Sequence, residues 1–139
     1  EGIEVLGSYV SPSHDTYVQP KAAAAGSFGL SGQFRLELAR RAVADEPLVD
    51  VAAWEALQPG RWPDFPVVCE ELQRRVSVRV YYVCGTDHAT KCGLWSGMGE
   101  IGVVVVPRES ERPMREAPAK RVYVAAPAQG EAAGFSSTR

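Results

Sequence analysis

The stretch VRVYYVCGTDHATKCGLWSGMGEIGVVVVP, residues 78–107, carries the strongest fold signal in the chain. It contains two runs rich in β-branched and aromatic residues, 78–84 and 101–107, which predict two strands. Both runs are almost continuously apolar instead of alternating with polar residues. That pattern is typical of parallel strands covered on both faces, so the stretch indicates a parallel sheet within an α/β fold.

The segment between these strands also marks where a ligand would bind. Gly85, Thr86 and Asp87 directly follow the first apolar run and form a predicted loop. In open parallel sheets, ligands bind at the carboxyl ends of the strands. We therefore expect this loop to carry the chemistry of the protein.

A helix is predicted over residues 32–44, with Ser31 as its N-cap. Phe34, Leu38 and Ala42 recur at the spacing of one helical face. This face is the predicted apolar side of the helix.

The remaining elements continue the alternation of strands and helices. A second helix is predicted over 63–76, and strands over 3–10, 48–54 and 121–125. Prolines and glycines make 11–29 a predicted long loop. The predicted fold class is therefore α/β, with a Rossmann-like, doubly wound and mostly parallel sheet.

Composition narrows the function classes. The chain has 139 residues, of which 45% are hydrophobic and 23% charged, as expected for a single globular domain. A net charge of -2 gives no bulk attraction for a nucleic-acid backbone or an anionic membrane, so neither is an expected partner. Three cysteines without dense disulfide spacing favour reduced thiols in an intracellular compartment, cytoplasmic or nuclear.

Cys84, His88 and Cys92 are four residues apart, which raises the question of a metal site. Shared ligation at this spacing needs all three residues on one helix, whereas Cys84 ends a strand-like run and Gly85 disfavours a continuous helix. Three ligands are also one fewer than a structural zinc site uses. We therefore predict no metal site and interpret Cys84 as a small buried strand residue.

Several motifs together resemble one enzyme family. In this order, GSYVSPSHDTYVQPK, WEALQ, YYVCGTDHATKCGLW, IGVVVVPR and FSST are similar to stretches of the nicotinamide/nicotinate mononucleotide adenylyltransferases, within the cytidylyltransferase-like nucleotidylyltransferase superfamily. The resemblance spans nearly the whole chain. It implies a Rossmann-like fold and transfer of AMP from ATP to a pyridine mononucleotide. The products would be pyrophosphate and NAD or its deamido form, with Mg²⁺ assisting.

The resemblance implies which residues bind ATP. Gly85 and Asp87 match the residues that meet the adenosine ribose, where glycine allows close approach and a carboxylate accepts hydrogen bonds from a diol. Arg108 matches an arginine that follows a strand. A serine-serine-threonine turn at the start of a helix holds the phosphates in the family, and its amides attract anions. That turn corresponds here to Ser136, Ser137 and Thr138.

The resemblance also implies an acceptor site. Ser11, Tyr17 and Lys21 lie in the stretch that matches the mononucleotide-binding loop, where a lysine offers a cation to phosphate. Trp54 and Trp95 match aromatic residues near the pyridine nucleotide, since an indole face stacks on a flat ring. A solvated loop lysine and a core tryptophan are the competing interpretations.

The chain also departs from the family at several positions. Its H-x-G-H type of motif, which contacts the triphosphate, has no counterpart, and His14 is not part of one. His88 stands where family members commonly carry an apolar residue. Because the chain opens on Glu1 and enters a strand-like run at once, we expect an internal fragment. It would be a single partial nucleotidyltransferase domain over 1–139, without the family's first strand and final helices, and inactive alone.

Three functional hypotheses follow. The first is the adenylyltransferase, which needs no protein nucleophile, so no catalytic residue is assigned. The second is a relative that uses another nucleotide or phosphorylated acceptor, such as a cytidylyltransferase or a phosphopantetheine adenylyltransferase. The third is an inactive nucleotide-binding scaffold. Formation of a homo-oligomer is left open.

Overall fold

The computed structural model of the protein describes residues 3–108, 119–127 and 130. It is an α/β structure that divides into two compact units, Glu1–Val68 and Cys69–Arg139. The elements are β1 Ser8–Val10, α1 Asp15–Ala24, α2 Gly32–Ala42, β2 Val49–Val51, α3 Phe65–Arg75, β3 Tyr81–Gly85, α4 Thr86–Lys91, a 3-10 turn at Leu94–Ser96, β4 Gly102–Val106 and β5 Val122–Val124.

In the first unit, β1 and β2 form a parallel pair, with Val10 opposite Val51. Leu36 of α2 is fully buried against Val51 and Ala56 and forms the core of this unit. The predicted parallel pairing is confirmed. All three residues of β1 are exposed, however, so the predicted covering of both strand faces does not hold for β1.

Helix α2 begins where the sequence predicts and buries a different face. Ser31 caps it, because its hydroxyl accepts a hydrogen bond from the Phe34 amide at 3.3 Å. The predicted apolar face is wrong, since Phe34 and Leu38 are about half exposed. Leu36 packs into the core instead, with Ala39 and Val43 beside it. The helix carries two apolar stripes, and contact with β2 decides which stripe is buried.

The prediction of a long loop over 11–29 is wrong, because residues 15–24 form α1. The side chain of His14 accepts a hydrogen bond from the Thr16 amide and so caps the helix. Asp15 in the first turn favours the positive end of the helix dipole. The alanines that follow Pro20 and Lys21 are strong helix formers and outweigh the single proline.

In the second unit, β3, β4 and β5 form a parallel sheet with β4 in the centre. Tyr81 lies opposite Gly102, and Val103 opposite Val122. Val103 and Val105 of β4 are fully buried, as expected for a central strand. The strands predicted at 78–84, 101–107 and 121–125 are thus confirmed with shorter bounds. Within the described residues the strands form two small sheets, and one doubly wound sheet stays a prediction.

The loop predicted after Cys84 is also wrong, since Thr86–Lys91 forms α4. Gly85 is both the last residue of β3 and the N-cap of α4, with extended backbone at φ -80° and ψ 164°. The glycine therefore ends one element and precedes the next, and Cys84 stays on the strand. His88 lies on α4, and Cys92 is its C-cap.

Candidate functional site

In the first unit, polar side chains gather at the carboxyl ends of β1 and β2. The Ser11 hydroxyl, one residue past β1, donates to a Glu55 carboxylate oxygen at 2.6 Å. Burial raises the pKa of Glu55, against the opposing effects of hydrogen bonds from Ser11 and Ser13 and the nearby His14 and Arg35. The two loops that follow the strands are therefore joined by a half-buried carboxylate.

Arg35 supports this cluster from α2. Its guanidinium contacts the Asp15 carboxylate at 2.9 Å and donates to the backbone carbonyls of Ser13 and Leu30. The side chain is largely buried, so these partners replace water. Arg35 thus fixes the segment between β1 and α1.

His14 is the buried polar residue of this cluster, with 8% of its surface exposed. Its Nδ1 lies 3.1 Å from the Thr16 amide nitrogen and 2.8 Å from the Thr16 hydroxyl oxygen. Its Nε2 lies 2.9 Å from the carbonyl oxygen of Gln58. The imidazole therefore bridges α1 and the segment that follows β2.

Four of the residues predicted to bind the acceptor, Ser11, Tyr17, Lys21 and Trp54, lie in the first unit. Ser11 is within the polar cluster, and Trp54 is half-buried in the turn directly after β2. Tyr17 lies on α1 with its ring edge against Trp62, at a centroid distance of 5.3 Å. Lys21 is exposed in the last turn of α1.

In the second unit, the three described residues that are predicted to bind ATP lie at the carboxyl ends of two adjacent strands. Gly85 ends β3, Asp87 is in the first turn of α4, and Arg108 follows β4 by two residues. A nitrogen of Arg108 lies 3.9 Å from a carboxylate oxygen of Asp87, and 72% of the Asp87 side chain is exposed. An added Cβ at Gly85 would lie 2.9 Å from the Asp87 carboxylate, so glycine lets that carboxylate approach the backbone.

Trp95 belongs to the second unit as well. It lies in the 3-10 turn after α4, half-buried, and its indole N–H donates to the Thr90 hydroxyl at 3.1 Å. Its backbone carbonyl accepts a hydrogen bond from the Ala119 amide at 3.2 Å. The ring is therefore held at one edge, and its role toward a ligand stays a prediction.

Of the evenly spaced residues Cys84, His88 and Cys92, the structure brings the side chains of His88 and Cys92 together. Cys92 Sγ lies 3.9 Å from His88 Nδ1, and His88 Nε2 lies 3.2 Å from the Tyr82 hydroxyl. Burial raises the pKa of Cys84 to about 11, with contributions from nearby Cys92 and Asp87. In the part of the chain that the structure describes, no three His, Cys, Asp or Glu side chains group as a metal site.

Sequence reasoning missed the Glu55, His14 and Arg35 cluster. A usable signal was present, since serines follow the first predicted strand and a glutamate follows the next. Parallel neighbours bring such residues to one sheet edge. Ser136, Ser137 and Thr138, and the crevice that we expect Ser136 to share with Asp87, lie outside the described residues.

Two comparisons with known proteins find no relative of the chain. No model of a known protein family matches the chain, and a search of curated proteins finds no match either. Among residues 3–108, 119–127 and 130, no helix has the length and apolar character needed to span a bilayer.

Proposed function

We propose that the chain is part of a nucleotidyltransferase that transfers AMP from ATP to a pyridine mononucleotide, with NAD or its deamido form and pyrophosphate as products. The observation that carries the proposal is the meeting of Gly85, Asp87 and Arg108 at the carboxyl ends of parallel β3 and β4. These residue types suit a nucleotide, because a carboxylate accepts from a ribose diol and an arginine binds phosphate oxygens.

The exposure of Asp87 supports this role. Its carboxylate is mostly exposed to solvent. The 3.9 Å distance from this carboxylate to the Arg108 guanidinium is at the outer limit for an ion pair. A carboxylate held this loosely keeps acceptor capacity for a ligand. The ribose would take that capacity, and the Arg108 guanidinium would face the phosphates.

The acceptor site is proposed for Ser11, Tyr17, Lys21 and Trp54 in the first unit. For Trp95, in the second unit, stacking on the pyridine ring is proposed separately. Lys21 would hold the acceptor phosphate, and an indole ring would stack on the pyridine ring. The support is the joining of the loops after β1 and β2 through Ser11 and Glu55.

Chemistry in such a site needs positioning and charge stabilisation. The acceptor phosphate attacks the α-phosphorus of ATP in line, a bond to the acceptor oxygen forms, and pyrophosphate leaves. Mg²⁺ prefers several oxygen ligands, and the described side chains provide no cluster of three ligands for it. We therefore propose that Mg²⁺ is held by the ATP phosphates and water, where it would neutralise charge.

The activity is proposed for the full-length protein that contains this sequence. The Rossmann-like, doubly wound sheet is proposed for the same protein. The chain alone is proposed to be inactive, because it lacks a counterpart of the H-x-G-H motif.

Two alternatives have specific support. His14 and His88 depart from the family, which favours another acceptor or nucleotide, as in a cytidylyltransferase or a phosphopantetheine adenylyltransferase. The lack of the phosphate motif favours an inactive nucleotide-binding scaffold.

The test is a screen of the full-length protein for pyrophosphate release, with ATP or CTP against a panel of phosphorylated acceptors. We expect release with ATP and a pyridine mononucleotide, and loss of release in Asp87→Ala. Release with another acceptor or with CTP would support the relative. Nucleotide binding without release in any combination would support the scaffold.

A further inference from the structure

We propose that His14 is a positioning residue that fastens the start of α1 to residues 55–62. This fastening would set the distance between the α1 side of the acceptor site and Trp54. The binding part of the inference rests on the proposed function, whereas the fastening does not.

The link is made by the two nitrogens of the ring. Nδ1 accepts a hydrogen bond from the Thr16 amide at 3.1 Å and so caps α1. Nε2 lies 2.9 Å from the Gln58 carbonyl oxygen, which can only accept, so Nε2 donates to it. One buried side chain therefore joins the first turn of α1 to a segment 44 residues further along the chain.

A second link lies beside the first. The Trp62 amide donates to the Thr16 hydroxyl oxygen at 3.0 Å, and the same oxygen lies 2.8 Å from His14 Nδ1. The Tyr17 ring packs edge-on against the Trp62 ring. His14 and Thr16 therefore hold Gln58 and Trp62 together, and the ring contact extends the link to Tyr17.

Fastening these segments has a consequence for the acceptor site. Tyr17 and Lys21 lie on α1, whereas Trp54 lies in the turn after β2. On the β1 side, the Ser11–Glu55 bond already joins the two loops. The His14–Gln58 bond adds a second attachment at the helix start and so restricts how far α1 moves from Trp54.

Two substitutions separate the two bonds of the ring. In His14→Asn, the amide oxygen takes the position of Nδ1 and keeps the cap on Thr16, but the side chain does not reach Gln58. In His14→Gln, the longer side chain reaches Gln58, and the cap is lost. Both replacements are uncharged amides, so the two variants have the same net charge.

The first measurement is hydrogen exchange of the Trp62 amide in the full-length protein at pH 7.5. Exchange should rise roughly five-fold or more in His14→Asn, because loss of one hydrogen bond changes an equilibrium by about that factor. Unchanged exchange would overturn the fastening.

The second measurement is binding of nicotinamide mononucleotide and of ATP to the same variants. We expect His14→Asn to weaken mononucleotide binding roughly five-fold, His14→Gln to stay within about two-fold, and ATP binding to be unchanged in both. Equal mononucleotide affinity in wild type and His14→Asn would overturn the positioning role alone. If wild type binds no mononucleotide while Trp62 amide exchange rises as expected in His14→Asn, the proposed function and the positioning role fail and the fastening stands.

Discussion

Replacement of Asp87 by alanine should weaken ATP binding without harming the fold. The side chain is 72% exposed, and its ion pair with Arg108 at 3.9 Å is loose. An exposed pair of this kind contributes about 0–1 kcal/mol to the free energy of unfolding, so the variant should remain folded. A hydrogen bond from the ribose to a carboxylate contributes about 1.5–3 kcal/mol to binding. Asp87→Ala should therefore weaken ATP binding about 10- to 150-fold.

Glu100 offers a matched control in the same unit. Its side chain is 86% exposed and pairs with Arg121 at 2.7 Å, so Glu100→Ala also removes one exposed carboxylate from an ion pair. Both variants have the same net charge, and only Asp87 lies at the carboxyl end of β3. Isothermal titration of ATP and of nicotinamide mononucleotide into both folded variants separates the two effects. Equal ATP affinity in the two variants would refute the role of Asp87, and so would an equal loss for both ligands in Asp87→Ala.

The other predictions concern the acceptor, the core and pH. Trp95→Ala should weaken mononucleotide binding by on the order of 1–3 kcal/mol while ATP binding persists, and an equal loss of both ligands by titration would mean that Trp95 is only structural. Leu36→Ala should lower the free energy of unfolding by about 2–5 kcal/mol, because Leu36 is fully buried. Leu38→Ala should lower it far less, because Leu38 is about half exposed. Urea unfolding of both variants measures the two losses, and equal losses would contradict the assigned buried face. Burial raises the pKa of Glu55 above its ordinary value of 4.5, so folding favours its protonated form. That contribution to stability is present below pH 4.5 and lost as pH rises through the folded-state pKa, so wild type should lose stability relative to Glu55→Gln from pH 4 to pH 8. Thermal unfolding across that range measures the difference, and a gain in wild-type stability relative to Glu55→Gln with rising pH would show the opposite shift.

The parallel strands of both units could be predicted from the sequence. Runs such as IGVVVVP are apolar at every position, and only a strand with neighbours on both faces buries such a run. Val103 and Val105 are accordingly buried at the centre of the second sheet. The Ser31 cap is also a local property, because a serine hydroxyl reaches an amide three residues away without help from the rest of the chain.

The placement of Gly85 and Asp87 was likewise predictable, because residues that end a parallel strand lie at the ligand-binding edge of the sheet. The pairing of Asp87 with Arg108 depends on the register of β3 and β4, in which Gly85 lies opposite Val106. Both strands can be predicted from the sequence, but their register cannot. The parallel pairing brings the two strand ends together.

Only the tertiary structure decides which face of α2 is buried and how α1 is held. Phe34 with Leu38 and Leu36 with Ala39 are both apolar stripes, so the helical period alone does not choose between them. The choice comes from the contact of Leu36 with Val51. His14 likewise takes its role from Gln58, which lies 44 residues further along the chain. Hydrogen bonds between such distant segments depend on where the strands bring the chain, and that information belongs to the fold as a whole.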